Sequence, residues 1–155
     1  MENQIDEGQA QDSKAPKTTY AKWQQEEGIP IHRNFWVDLY ALELGPWDRR
    51  GCRGAFVNLS EQESLDAYVA EIPPGQQSRP IRHMFEEAIY ILSGRDSTTI
   101  WYDGMGKQSF EWQEGSLFSP PLNSWHQHFN GSGDTPVRYL AVTTAPLCVN
   151  LYHSK

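Results

Sequence analysis

The chain has little that would tie it to a membrane, to nucleic acid or to an oxidising compartment. No apolar run approaches the roughly 20 residues a helix needs to cross a bilayer. The stretch MENQIDEGQAQDSKAPK at the N-terminus holds no apolar segment of the secretory type. Basic residues are few: 13 Lys and Arg against 20 Asp and Glu give a formal net charge of −7. Nucleic acid and anionic membrane both reward basic patches, so neither is an expected partner. The densest basic run, DRRGCR at Asp48–Arg53, reads as a solvated loop. Only Cys52 and Cys148 are present, far apart and without a C-x-x-C pattern, which reads as two reduced thiols in a cytoplasmic protein. Also missing are a phosphate-cradling glycine loop, a G-x-S-x-G elbow, internal repeats and any long amphipathic helix.

What the chain does have is enough bulk for one core. At 155 residues, with six Trp, seven Tyr and six Phe, it reads as a single domain. Residues 1–17 are polar and without periodicity, and read as a disordered tail. An arm follows, TYAKWQQEEG, with Tyr20 and Trp23 three apart and a glycine stop at Gly28, as in one or two helical turns docking on the body. The domain, residues 18–155, then becomes β-rich. Asn34–Leu44, Cys52–Leu59, Leu65–Ile72, Glu87–Gly94, Ser97–Asp103, Lys107–Gln113, Ser116–Pro120, Ser124–Asn130 and Val137–Thr144 are short runs rich in β-branched and aromatic residues. Gly, Pro, Asp and Asn clusters separate them. This spacing predicts an all-β sandwich or barrel of antiparallel strands. Asp103–Gly106 (DGMG) has the chemistry of a hairpin turn, and SGRDS at Ser93–Ser97 reads as another strand turn.

Five histidines are present, at positions 32, 83, 126, 128 and 153. His83 and Glu87 lie four apart. On one straight strand they would be about 13 Å apart, too far to share an ion. They converge only if the chain turns between them, with Met84–Glu86 as the corner. His126 and His128 alternate in SWHQHFN and so face one side of a strand. Two imidazoles on an inner face need a ligand, a metal or hydrogen-bond partners. His32 and His153 read as surface residues.

Two motifs carry a resemblance. GQQSRPIRHMFEEAIYILSG aligns Gly75, His83, Glu87 and Gly94 with the pattern Gly-x5-His-x-His-x3-Glu-x6-Gly, with Ile81 in place of the first histidine. GSLFSPPLNSWHQHFN aligns Gly115, Pro121, His126 and Asn130 with Gly-x5-Pro-x-Gly-x2-His-x3-Asn, with Asn123 at the second glycine. Over roughly Asp66 to Pro146 the chain resembles the cupin superfamily. The resemblance implies a cupin-type jelly-roll β-barrel in which His83, Glu87 and His126 hold one divalent metal. Ile81 cannot ligate. Two histidines and one carboxylate are the donor set of non-haem Fe(II) oxygenases, so Fe(II) is favoured, with Zn, Mn, Ni or Cu as alternatives.

Three roles stay open for His128: a fourth ligand, a catalytic acid/base or substrate contact in the pocket, or a packed, hydrogen-bonded ring. Parity adds Ile89 and Ile91 on the face of Glu87, Phe118 and Trp125 beside the second motif, and Tyr68, Arg79 and Arg82 near the mouth. Of these, Ile81, Ile89, Ile91, Phe118 and Arg79 are the expected substrate pocket. The leading expectation is a metal-dependent enzyme performing dioxygenase-type oxidation of a small organic molecule. A non-redox isomerase, dehydratase or decarboxylase using His128, and a non-catalytic binding or sensing module, are the alternatives. The resemblance also implies a homodimer, with Tyr20, Trp23, Phe35 and Trp36 packing on a neighbouring copy.

Overall fold

The computed structural model describes residues 18–59 and 64–152, so the expected tail at 1–17 and His153 lie outside the described residues. The chain begins with helix α1 (Thr19–Glu26), capped by the Thr18 hydroxyl, which accepts from the Ala21 N–H at 3.1 Å. Ten strands follow: β1 (Ile31–Asn34), β2 (Gly45–Trp47), β3 (Cys52–Leu59), β4 (Asp66–Ile72), β5 (Glu87–Ser93), β6 (Arg95–Trp101), β7 (Gln108–Gln113), β8 (Leu117–Phe118), β9 (Trp125–His128) and β10 (Val137–Thr143). Helix α2 (Ala145–Tyr152) closes the described chain.

The strands form two sheets. The larger runs β1-β3-β4-β10-β5-β8, with β2 also on β3, and the smaller runs β7-β6-β9. All pairings are antiparallel except β1 with β3, which is parallel through Ile31↔Phe56 and His32↔Val57. β1 and β2 share one edge of β3. β2 takes Cys52–Gly54 as the antiparallel arm of a hairpin, and β1 takes Phe56–Leu59. Chain reversal between β1 and β2 is what makes β1 parallel.

The expected long strand at Asn34–Leu44 is therefore absent. Its residues after Asn34 fold into turns, with Ala41 N–H donating to the Asp38 carbonyl at 3.2 Å. They cover the outer face of the large sheet, where Leu44, Ala55, Val57, Val69 and Leu92 form a second cluster. Arg138, paired with Glu71, pins this segment by donating to the Leu39 and Tyr40 carbonyls at 3.0 Å. Hydrophobic residues that read as a strand are here a loop over an apolar sheet face.

The main core lies between the sheets. Ile89 and Ile91 on β5, Phe56 on β3, Ile72 on β4, Tyr139 on β10 and Trp112 on β7 meet there. Burying each isoleucine stabilises the fold by about 1.5–3 kcal/mol. β5 shows why the register is fixed: Glu87, Ile89 and Ile91 point in while Ala88 and Tyr90 point out. At Ser93–Ser97 the expected turn shrinks to one residue. Gly94, at φ 88°, carries the chain from one sheet to the other, and a Cβ there would meet Val137 Cγ2 at 2.8 Å.

α1 docks on its own chain. Tyr20 donates to Asp66 at 2.9 Å and Gln24 donates to the same carboxylate at 2.8 Å, while Trp23 packs edge-on against Phe56. So Tyr20 and Trp23 serve the body they belong to, while Phe35 and Trp36 are exposed. α2, which strand patterning gave no reason to expect, starts where the Thr143 hydroxyl caps the Ala145 N–H at 3.0 Å. It is tied to α1 by the Tyr20 N–H on Asn150 at 2.9 Å. No helix among the described residues is long and apolar enough to cross a membrane.

Candidate metal centre

The corner between His83 and Glu87 falls at Met84–Phe85, where the chain bends before β5 begins at Glu87. Just before the bend, Ile81 forms an isolated antiparallel bridge with His126. Its N–H donates to the His126 carbonyl at 3.0 Å, and the His126 N–H donates back at 2.9 Å. Two residues on, the His83 carbonyl accepts from the N–H of Asn123, which sits at φ 61°. Asn tolerates this left-handed conformation better than most residues. The two motifs are thus laced together by backbone, which puts the rings of His83 and His126 edge to face, 5.1 Å between centroids.

Glu87 reaches the same point from β5, and His126 and His128 from β9, where both are buried. One donor atom from each of His83, Glu87 and His126 lies within 4.8 Å of the other two. His83 Nε2 is 2.9 Å from Glu87 Oε2. These donor atoms, together with His126 Nε2 and His128 Nε2, are buried with no hydrogen-bond partner among the described residues.

The 2.9 Å approach and the absence of a hydrogen bond there have one explanation in the protonation pattern. His83 Nδ1 lies 3.0 Å from the Phe85 carbonyl and His126 Nδ1 lies 3.3 Å from the Ser124 carbonyl. A carbonyl only accepts, so each Nδ1 carries a proton, and each ring in its neutral form offers a bare Nε2. A bare nitrogen facing a carboxylate oxygen at that distance needs a cation or a proton between them. The donor set fits a divalent metal, and backbone carbonyls orient both rings as they do in metal sites.

Electrostatics supports ionised Glu87. Burial raises its pKa, but the adjacent His83 ring, the Arg50 charge and the hydrogen bond from Tyr68 outweigh burial and bring the carboxyl down to about 2. Burial pushes His126 down to about 4, with Arg50 and His83 adding to the effect against the pull of Glu87. His128 falls to about 3, again chiefly by burial and then by His126.

Two residues complete the site that sequence patterning had placed elsewhere. Tyr68, expected near the mouth, is buried inside, and its hydroxyl donates a short hydrogen bond to Glu87 Oε1. That bond turns the other carboxylate oxygen, Oε2, toward His83. Arg50, expected in a solvated loop, is 6% exposed. Its Nη1 donates to the Tyr68 hydroxyl at 3.3 Å, and its guanidinium lies over the rings of Trp47 and Tyr68 at 4.9 and 5.1 Å. The tight turn closing the β2–β3 hairpin aims it inward, with the Arg50 and Gly51 N–H groups both on the Trp47 carbonyl. Nothing in DRRGCR marks its middle arginine as the buried one.

A cavity of about 680 Å³ adjoins the site, walled by Arg50, Ile81, His83, Phe85, Val149 and Tyr152 among others. Ile81 thus faces it. Ile89 and Ile91 are part of the core beneath, and Phe118 packs 6.1 Å from the His128 ring. Arg79 is exposed and does not line the cavity; Arg50 occupies the position expected of it. Arg82, exposed, lies at the rim of the cavity as expected, paired with Asp103 at 2.9 Å, and Trp125 shares that aspartate. His32 bonds the Glu43 carbonyl far from the site. A larger open depression of about 1230 Å³, around Gly94–Ser97 and Glu111–Glu114, contains none of the histidines.

Comparison with known proteins agrees with this architecture. Residues 68–143 match the family model described as a cupin domain. Among solved structures, the cupin domain of Schizosaccharomyces pombe Cnp3 is 17% identical over 70% of this chain and 72% of that one, with a TM-score of 0.56. A cupin-2 domain from Rhodospirillum rubrum is 19% identical over 71% and 74%, at 0.57. The oxalate decarboxylase of Lactobacillus farciminis, solved with formate, is 20% identical over 71% of this chain at 0.59, but the match spans only 33% of that longer chain. At these identities the likeness is one of fold. No curated protein matches the chain.

Proposed function

This chain carries a cupin domain, and on that premise we propose that it is a metal-dependent enzyme acting on a small organic anion, with Fe(II)-dependent oxidation by dioxygen as its reaction class. The observation that carries the reading is the convergence of three buried, unpartnered donors, His83 Nε2, Glu87 Oε2 and His126 Nε2, beside a cavity containing a buried guanidinium. Two imidazoles and one carboxylate suit Fe(II) and leave coordination positions for other molecules. A divalent ion held there supplies a Lewis acid and, as Fe(II), a source of electrons for dioxygen.

The chain's own residues do the rest. The Phe85 and Ser124 carbonyls fix the two rings with Nε2 bare. Tyr68, itself bonded by Arg50, fixes the carboxylate. Among the described residues the Arg50 side chain hydrogen-bonds only Tyr68, so its remaining N–H groups can pair with a substrate carboxylate or phenolate. Ile81, Phe85 and Val149 give the cavity apolar walls. A homodimer built on the exposed Phe35 and Trp36 also belongs to this reading.

The test is oxygen consumption by the Fe(II)-loaded protein against a panel of small carboxylates and phenolates. Uptake that disappears in Glu87→Ala, and whose KM rises in Arg50→Met, is expected. No uptake and no other turnover with Fe(II), Mn(II), Zn(II), Ni(II) or Cu(II) would leave the chain a binding module and overturn the reading.

A further inference from the structure

The third histidine at the site does not have the same hydrogen-bond logic as the other two. His128 Nδ1 is 2.7 Å from the hydroxyl oxygen of Thr98, its register partner on β6. Thr98 is fully buried, and its hydroxyl has one other contact, the Trp112 indole N–H at 2.8 Å. An indole nitrogen can only donate. The Thr98 oxygen therefore accepts from Trp112, and its single proton has one place to go, His128 Nδ1. With Nδ1 accepting, the imidazole proton is on Nε2.

The alternative has a specific cost. If Nδ1 carried the proton, the Thr98 oxygen would accept twice and its own hydroxyl proton would be buried with no acceptor. Leaving a buried donor unpaired is unfavourable. A doubly protonated ring would also carry a proton on Nε2, so the outcome at that atom is the same.

His128 Nε2 is buried and has no partner among the described residues. Around it are the ring of Tyr139, edge-on at 5.3 Å, the ring of Phe118, and the ring of His126 at 5.6 Å. His126 does not accept the proton, since its own Nε2 is equally unpartnered. The Trp112–Thr98–His128 chain therefore aims an N–H donor into the barrel interior with nothing among the described residues to receive it.

We infer that His128 is a specificity-determining hydrogen-bond donor, which presents Nε2–H to an acceptor oxygen of the molecule bound in the barrel and does not ligate the metal. Of the three histidines at the site, two offer bare nitrogens to a cation and the third offers a proton to an oxygen. The site then prefers an oxyanion or carboxylate whose acceptor reaches the β6–β9 wall, over a neutral apolar molecule of the same size. It gives His128 the opposite polarity from a general base. The inference rests on the metal reading for the position of the ligand, and the proton assignment stands without it.

The test is heteronuclear NMR of the histidine ring nitrogens in the metal-free protein, followed by Zn(II) loading and titration with acetate as the probe. The expected result is a protonated Nε2 for His128 and protonated Nδ1 for His83 and His126. On Zn(II) addition, only the His83 and His126 Nε2 signals should shift as ligands. Acetate should then shift His128 Nε2. His128→Phe should weaken acetate binding by about tenfold or more, the loss of a hydrogen bond to a charged group, while Zn(II) affinity changes by less than about threefold. A bare Nε2 on His128, or its direct coordination of Zn(II), would overturn the inference without touching the metal reading. Failure to bind Zn(II) would overturn the metal reading, with the proton assignment still decided by the metal-free spectrum.

Discussion

Replacing Tyr68 by Phe removes one oxygen atom and leaves almost everything else in place. The ring is 3% exposed and packs edge-on against Trp47 and Tyr139 at 5.2 and 6.2 Å, contacts that phenylalanine keeps. What goes is the hydroxyl that donates to Glu87 Oε1 and accepts from Arg50 Nη1. A hydrogen bond to a buried charged group is worth about 1.5–3 kcal/mol. Residues that orient metal ligands typically contribute about 10–100-fold in affinity, or about 1.4–2.7 kcal/mol, so two independent estimates agree. The metal-free variant should also melt lower. For a chain of this size, about 1 kcal/mol corresponds to about 2–4 °C, so a drop of about 3–12 °C is expected. Calorimetric titration of both proteins with Zn(II) or Mn(II), alongside thermal melts without metal, makes the comparison. Tyr68→Phe binding metal as tightly as the unaltered protein would refute the claim that the hydroxyl holds the carboxylate in place.

Two more outcomes follow from the geometry. Asp66, which anchors α1, is raised to about 6, chiefly by burial and against the hydrogen bonds from Ala67, Tyr20 and Gln24. A carboxyl whose folded pKa exceeds its unfolded value of about 3.9 favours the native state below about pH 4, and that contribution is lost as pH rises through about 6. The difference in unfolding free energy between Asp66→Asn and the unaltered protein should therefore move by about 2–3 kcal/mol in favour of the variant between about pH 4 and 7, read by urea denaturation at each pH. A flat difference would contradict the assignment. Ile81→His should put a fourth imidazole beside His83 and close a coordination position. Metal affinity should then rise about tenfold by competition with a chelating dye, while any oxygen uptake falls, and unchanged affinity would mean the side chain at 81 does not reach the ion.

The candidate ligands His83, Glu87 and His126 were legible through the resemblance of the two motifs, and spacing added one condition. His83 and Glu87 cannot share an ion on a straight strand, so a corner at Met84–Glu86 follows from distance alone, and the chain does bend there. Alternation likewise fixed that His126 and His128 face the same way. Tyr68 and Arg50 were not legible in the same way. Tyr68 lies on β4, across the sheet from the motifs, and only the pairing of β4 with β10 and β10 with β5 brings it to Glu87. Arg50 depends on a four-residue turn aiming one of two adjacent arginines inward, which composition does not encode. The segment 35–44 misled for a related reason. Its leucines do bury apolar surface, but against the outer face of the large sheet, and local pattern does not say which face a segment covers. His128 is an intermediate case: its inward direction follows from parity, but the location of its proton depends on Trp112, sixteen residues away in sequence and meeting it only through Thr98.

The most direct measurement is the metal stoichiometry of the purified chain and of its ligand variants, by elemental analysis and titration of the metal-free protein. The account predicts one divalent ion per chain, lost in His83→Ala, Glu87→Ala and His126→Ala and kept in His128→Phe. A chain that binds no ion, or whose Glu87→Ala and His126→Ala variants bind one unchanged, would contradict it.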